Sequence, residues 1–182
     1  MEVIVKKLTD ESLMRRACEM TMHGKESKMT LKDMYFCEHS PMRTQLFWIE
    51  MLGIPSFVSV HFRTHGTGIE HFVTSNREDR GGDEKVDRWT HVNHGMLINA
   101  QALVNLARKR LCRKAHEETQ VVMHLLCDRL YEIDSDLAIH LYPECVYRGG
   151  CFELKTCGWY GKNVEYNIVT GKQFRKIGRA HV

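Results

Sequence analysis

The chain has 182 residues, a formal net charge of +3 and 43% hydrophobic residues. These values indicate one ordinary globular domain, expected over residues 1–176, and exclude a disordered chain. The sequence contains no run of eighteen apolar residues and no apolar leader, so it predicts no membrane span and a cytoplasmic location. A small positive net charge is compatible with a ligand that carries phosphate but does not indicate a nucleic-acid partner.

Short strands and helices alternate through the first half of the chain. The strand candidates are apolar runs that alternate or are β-branched. The first helix candidate has Thr9 or Asp10 as its cap, and the second begins at Thr30. The segment at 77–90 is charged and glycine-rich, which predicts a surface loop. In chain order, the predicted elements are a strand at 2–6, a helix at 9–23, a helix from 30 that stops before Pro41, and strands at 44–51, 56–62 and 71–73.

A long helix is predicted over residues 96–131, followed by a helical piece at 134–142 and a hairpin that starts near residue 158. At 100° per residue, one side of the long helix is apolar. We therefore predict an α+β fold in which a small mixed or antiparallel sheet packs against this central helix. The residues of the apolar side are Ala100, Leu103, Val104, Leu106, Ala107, Leu111 and Ala115.

Arg110 falls within this apolar side, whereas Gln101, Asn105, Arg108 and Cys112 fall on the other. A guanidinium stays charged, so burying one requires an anion, a carboxylate or a route to water. Two interpretations are open at this point. Arg110 either extends to solvent over its neighbouring leucines, or it lines a site for an anionic ligand.

The order of residues along this helix resembles the signature helix of flavin-dependent thymidylate synthases. The family has Asn-Ala-Arg-Ser-Leu, then an Asn, then an Arg, and finally Ala-Gln-x-Glu. At the same spacing this chain has Asn99-Ala-Gln-Ala-Leu103, Asn105, Arg110 and Ala115-His-Glu-Glu118.

Weaker similarity to the same family precedes the helix. The string Glu38-His-Ser-Pro41 comes before two apolar runs, as a His- and Pro-containing entry does in the family. Arg63-Thr-His65 and Ser75-Asn-Arg77 are similar to the family motifs Arg-His-Arg and Ser-x-Arg. The resemblance spans about residues 30–145.

Carried over residue by residue, the resemblance gives Arg110 the catalytic role of holding the pyrimidine and raising its reactivity. The implied reaction is the reductive methylation of dUMP to dTMP, in which methylenetetrahydrofolate supplies the carbon, FAD the hydride, and NADPH reloads the flavin. The resemblance also implies a homo-oligomer, a tetramer with shared sites. The implied contacts are His65, Asn105, Gln101 and Arg63 for the flavin, and His61, Ser75, Arg77 and Arg110 for the nucleotide.

Several positions depart from the family pattern. Gln101 replaces an Arg, His61 and His116 each replace a Gln, and the arginines that flank the family histidine are out of register. The family's phosphate-binding Arg from the following stretch has no clear counterpart, although Arg80 or Arg88 could serve. The second hypothesis is therefore a catalytically altered or non-catalytic pyrimidine-nucleotide-binding protein on the same scaffold.

The cysteines near the C-terminus allow a third hypothesis. Cys145, Cys151 and Cys157 lie on a glycine-containing loop, and Cys112 of the long helix could join them as a fourth zinc ligand. This spacing lacks the paired C-x2-C of zinc knuckles. We therefore predict no metal and expect reduced thiols that pack the loop onto the helix, while a small zinc-containing nucleic-acid-binding module stays open as the alternative.

The last six residues, 177–182, match a reading frame of a common sequencing adapter. We expect this tail to be non-native or disordered, and the gene to come from a phage or an environmental sample. No function is assigned to it.

Overall fold

Four strands form one antiparallel sheet in this computed structural model, which describes residues 1–82, 85–167 and 172–175. The strands of this sheet are β1 (Glu2–Lys7), β2 (Leu46–Pro55), β3 (Ile69–Val73) and β4 (His91–Asn99). Two further strands are β5 (Val164–Asn167) and β6 (Lys172–Arg175). The sheet order is β1-β2-β4-β3, while β5 and β6 pair with each other. Each pair is antiparallel, which confirms the antiparallel form of the predicted sheet.

Helices make up the rest of the regular structure, with short 3-10 helices at Ser40–Thr44 and Glu78–Arg80. Of the two cap candidates for the first helix, Asp10 is the cap, since it accepts from the backbone of Ser12 at 2.9 Å, and Thr30 forms a capping box on the second. The α-helices are α1 (Glu11–Thr21), α2 (Leu31–Cys37), α3 (Ser56–Arg63), α4 (Ala100–Arg110), α5 (Glu117–Ile133), α6 (Ser135–Ala138), α7 (Glu144–Tyr147) and α8 (Trp159–Asn163).

One face of the sheet carries the hydrophobic core. Phe47 lies opposite Ile98 and Ile49 opposite Met96, and all four side chains are fully buried. Helix α5 packs over β1, and the apolar side of α4 is buried as predicted. Because α4 follows the inner strand β4 directly, the core fixes the position of α4.

The single long helix predicted over residues 96–131 was wrong at two points. Its first residues belong to β4, where burial alternates, and Asn99 ends the strand by capping α4 through a hydrogen bond from Ala102 at 2.9 Å. The helix then breaks after Arg110 and restarts at Glu117. The break separates a basic last turn from an acidic first turn, an arrangement that the two helix dipoles favour.

The strand predicted over residues 56–62 was also wrong, because this segment is helix α3. Its buried residues, Phe57, Val58 and Phe62, lie on one helical face, and Pro55 precedes the first turn. The hairpin begins at Val164 rather than near residue 158, since the preceding segment is α8. The helical piece at 134–142 is the short helix α6.

The remaining predicted elements agree with the structure within a few residues. None of the described helices combines the length and apolar character that crossing a membrane requires. The single domain expected over residues 1–176 stays a prediction, and the tail at 177–182 lies outside the described residues.

Candidate functional site

Arg110 ends α4 and is half-buried. Its Nη2 donates to the backbone oxygen of His61 at 2.5 Å and to Oγ1 of Thr64 at 2.6 Å, at the C-terminal end of α3. The end of a helix attracts a cation through its unpaired carbonyls. Neither acceptor carries a full charge, and Nε of Arg110 is buried with no acceptor. Burial lowers the pKa of Arg110, but a guanidinium remains a cation near neutral pH.

Arg108 is the more deeply buried arginine, with 6% of its surface exposed. It forms an ion pair with Glu38, and its Nη1 donates to Oδ1 of Asn105 at 3.2 Å. Its Cζ lies 3.4 Å from the ring centroid of Tyr147, and Glu38 also accepts from Nε2 of Gln101 at 3.1 Å. Arg108 lies on the same side of α4 as Gln101 and Asn105, and it is buried there because Glu38, 70 residues away in sequence, supplies a half-buried carboxylate.

His61 lies on α3 within an aromatic cluster. Its Nδ1 is 2.8 Å from Oγ1 of Thr119, and its ring centroid lies 5.5 Å from that of Phe57 and 6.3 Å from that of His116. Phe57 also packs edge-on against Trp89 with a centroid distance of 5.0 Å. The predicted nucleotide contact His61 and the family-divergent His116 therefore share one cluster.

Arg88 adds a positive charge to this cluster. Its Cζ lies 4.7 Å from the ring centroid of Phe57 and 5.6 Å from that of Trp89, distances at which a cation is attracted to an aromatic face. Burial lowers the pKa of His61, and the charges of Arg110, His116 and Arg88 lower it further. His61 is therefore neutral near pH 7.

The half-buried imidazole of His71 and the buried imidazole of His94 connect the end of α3 to the sheet. Nε2 of His71 donates to the backbone oxygen of His65 at 3.1 Å, and its Nδ1 is 2.9 Å from Nε2 of His94. Nδ1 of His94 is in turn 3.0 Å from Oγ of Ser59. His94 is fully buried, and burial, followed by the charges of His71 and Arg63, lowers its pKa to about 4.

The predicted phosphate grip, Ser75 and Arg77, lies on the segment after β3. Arg77 is exposed, and its guanidinium donates to both carboxylate oxygens of Asp79 at 2.8 and 2.7 Å. Oγ of Ser75 accepts from the backbone of Arg77 at 3.4 Å. Arg77 is thus paired with a surface carboxylate, and its role in holding a phosphate stays a prediction.

The predicted flavin contacts fall into two groups. Gln101 and Asn105 belong to the Glu38–Arg108 network, whereas Arg63 and His65 lie at the end of α3. Burial lowers the pKa of His65, and the nearby charge of Arg110 lowers it further. Among the described residues, no hydrogen bond joins the two groups.

A pocket of about 410 Å³ opens beside Arg110, between the end of α4 and the segment from Pro143 to Tyr160. The four cysteines of the alternative zinc hypothesis line it, namely Cys112, Cys145, Cys151 and Cys157. In the part of the chain that the structure describes, no group of three or more His, Cys, Asp or Glu side chains is arranged to hold a metal ion. The basic residues that line the pocket are Arg108, Lys109, Arg110, Arg113, Lys114 and Arg148.

Sequence reasoning missed two parts of this region. It did not pair Glu38 with Arg108, and it did not place Phe57, Trp89 and Arg88 around His61. The sequence signals for the cluster were the family departures at His61 and His116, whereas the aromatic residues come from segments that are distant along the chain.

Comparison with protein-family models gives no match, and neither does comparison with curated proteins. Solved structures do match. Thymidylate synthase X (ThyX) from Helicobacter pylori, crystallised with FAD and dUMP, has a TM-score of 0.62 and 15% identity, covering 78% of this chain and 97% of that one. A second Helicobacter pylori ThyX complex with FAD and dUMP gives a TM-score of 0.63 and 14% identity, covering 78% of this chain and 99% of that one.

The UMP/dUMP methylase PolB from Streptomyces cacaoi, bound with 5-Br dUMP, is similar at a TM-score of 0.59 and 12% identity, covering 76% of this chain and 94% of that one. At these identities the likeness defines the fold. The chain has the α+β fold of flavin-dependent thymidylate synthases, which confirms the predicted fold class. The resemblance inferred from residues 99–118 is confirmed at the level of the fold.

Proposed function

We propose that this chain binds the pyrimidine nucleotide dUMP in the pocket beside Arg110 and acts on it as a flavin-dependent thymidylate synthase-like enzyme. The main support for the proposal is the environment of Arg110. It is a half-buried cation that is held by two neutral oxygens and lines a basic pocket of about 410 Å³. A volume of this size is within the usual range for small-ligand sites.

The chain's own residues suit this ligand. The bonds to His61 and Thr64 fix the guanidinium plane of Arg110, and a planar fork recognises pyrimidine carbonyl and phosphate oxygens. Lys109 and Arg113 line the same pocket and supply charge for a phosphate. Nδ1 of His61 contacts Thr119, so Nε2 is the nitrogen through which His61 would replace the family glutamine.

The reaction that the resemblance implies is reductive methylation of dUMP to dTMP with methylenetetrahydrofolate, FAD and NADPH. Bound FAD would supply the hydride. Because Gln101 and Asn105 are engaged with Glu38 and Arg108, we derive no step through the flavin from one chain. Our proposal includes a homotetramer in which another copy completes the flavin site. Light scattering tests it, and a monomer that retains flavin would contradict it.

Arg110→Lys tests the nucleotide site. The ammonium keeps the charge but loses the planar fork, so we expect dUMP affinity to fall at least tenfold, corresponding to about 1.4 kcal/mol or more. Calorimetry with dUMP measures the loss, and thermal unfolding of the same sample checks the fold. Arg129→Lys, on the exposed surface of α5, is the matched control and should bind as the unmodified chain does. Unchanged affinity in Arg110→Lys, with a lower melting temperature, would show a purely structural arginine.

The engagement of Gln101 and Asn105 also favours the second candidate, a non-catalytic pyrimidine-nucleotide-binding protein on the same scaffold. The absorbance of the purified protein separates the two candidates. A flavin spectrum with dUMP binding supports the enzyme, whereas a colourless protein that binds dUMP and does not take up added FAD supports the binding protein.

A further inference from the structure

The connection between α3 and β3, residues 64–68, is tied to the sheet at both of its ends. At its far end, the backbone oxygen of Gly68 accepts from the amide of Asn99 at 3.1 Å. At its near end, the backbone oxygen of His65 accepts from Nε2 of His71 on β3 at 3.1 Å. The second tie is made by a side chain, so a substitution can remove it while the strand keeps its backbone hydrogen bonds.

A chain of hydrogen bonds that starts inside α3 orients the ring of His71. A carbonyl oxygen can only accept, so Nε2 of His71 carries a hydrogen, and in the neutral ring Nδ1 is then an acceptor. Nε2 of His94 donates to that Nδ1 across 2.9 Å, and Nδ1 of His94 accepts from Oγ of Ser59 at 3.0 Å. His94 and Ser59 are both buried, so packing holds them in place. The chain therefore favours the tautomer of His71 that can hold His65.

The same end of α3 holds Arg110. Oγ1 of Thr64 donates to the backbone oxygen of His61 at 2.8 Å. The lone pairs of Thr64 are then free to accept from Nη2 of Arg110 at 2.6 Å, and the oxygen of His61 accepts from the same nitrogen at 2.5 Å. Because Thr64 precedes His65 directly in the chain, a movement of His65 moves an acceptor of the guanidinium.

We propose that His71 is a positioning residue for Arg110, because its ring holds His65 and, with it, the end of α3 that receives the guanidinium. His71 acts through His65 and needs no contact with a ligand. Without its hydrogen bond, the connection can move and the plane of the guanidinium is fixed less firmly, which weakens the binding of a planar or anionic ligand. This inference rests on the proposed function, in which Arg110 binds dUMP.

Two substitutions of His71 separate its two hydrogen bonds. The amide nitrogen of Gln can replace Nε2 as the donor to His65, whereas the amide oxygen of Asn can replace Nδ1 as the acceptor for His94. His71→Asn should therefore lower dUMP affinity about fivefold, and His71→Gln should recover most of this loss. The melting temperatures should follow the opposite order, because His71→Gln leaves a buried N–H of His94 without its acceptor.

Calorimetry with dUMP and thermal unfolding of the same samples measure the two orders. Glu70→Gln, at an exposed position beside His71 in β3, is the matched control and should change neither quantity. A purely structural histidine would give one order, in which the variant with the lower melting temperature also binds dUMP more weakly. That result would overturn the assignment.

A measurement without nucleotide separates this inference from the proposed function. Amide hydrogen exchange over residues 61–66, followed by mass spectrometry, should be faster in His71→Asn than in His71→Gln. Equal exchange in the two variants would overturn the role of His71 even if the chain binds dUMP. Faster exchange in His71→Asn, in a chain that does not bind dUMP, would support the tie to His65 and contradict the proposed function instead.

Discussion

Arg108 and Arg110 lie two residues apart on α4, and the protein treats their charges differently. Arg108 is buried against the carboxylate of Glu38 and the ring of Tyr147. Among the described residues, the hydrogen-bond acceptors of Arg110 are neutral oxygens at the end of α3, beside a pocket. An internal counter-ion makes the first arginine part of the fold, whereas the second remains available to an external anion. Burial alone therefore does not identify a candidate ligand-binding arginine. The charge of its internal partner must also be known, because a carboxylate already neutralises the guanidinium.

The largest expected effect concerns the buried pair. Replacing Arg108 by Met leaves the Glu38 carboxylate without its partner, and Glu38→Gln leaves the guanidinium without its own. Each change should lower the free energy of unfolding by about 3 to 5 kcal/mol, measured by urea denaturation. Lys109→Met, between the two arginines, is the control. Its side chain is 56% exposed and lies 3.6 Å from Glu144, so it should cost at most about 1 kcal/mol. If the Arg108 and Glu38 variants lose no more unfolding free energy than Lys109→Met, then the ion pair with Glu38 does not distinguish Arg108 from Arg110.

His94 is a third basic group inside the protein, and it is buried in its neutral form. The folded state holds its pKa at about 4, below the unfolded value of about 6.5. Between these values only the unfolded chain takes up the proton, so stability is full above about pH 6.5 and falls as the pH drops towards 4. This group should account for a loss of about 3 kcal/mol.

Urea denaturation at a series of pH values measures this loss, and His94→Gln should flatten the pH dependence. His91→Gln, in the same strand but exposed, should leave it unchanged. A slope that persists in His94→Gln would show that other groups cause the loss.

The sequence predicted the features that are encoded locally. The caps at Asp10 and Thr30 and strand β2 agree with the structure, because each depends on neighbouring residues. The position of Arg110 was predictable in the same way, since the spacing from Asn99 fixes it on one helix.

The errors arose where distant residues decide the outcome. Helix α3 has an apolar pattern that suits a short strand, and its contact with α5 and the sheet selects the helix. The burial of Arg108 depends on Glu38, which has a left-handed backbone with φ of 51° at the end of α2. Such pairings follow from the tertiary fold and leave no periodic signal in the sequence.

We expect the smallest effect on folding from Arg77, because its ion pair is exposed to solvent whereas the ion pair of Arg108 is largely buried. Its pair with Asp79 lies in solvent, with exposed fractions of 67% and 59%, where an ion pair contributes at most about 1 kcal/mol. Arg77→Ala should therefore change the free energy of unfolding by less than about 0.5 kcal/mol.

If Arg77 exchanges Asp79 for the nucleotide phosphate, the same variant should weaken dUMP binding by about 1.5 to 3 kcal/mol. Calorimetry with dUMP measures that loss, and Asp79→Asn, which frees Arg77, should strengthen binding. Unchanged affinity in both variants would make Arg77 a surface residue and leave Arg110 as the arginine to test for nucleotide binding.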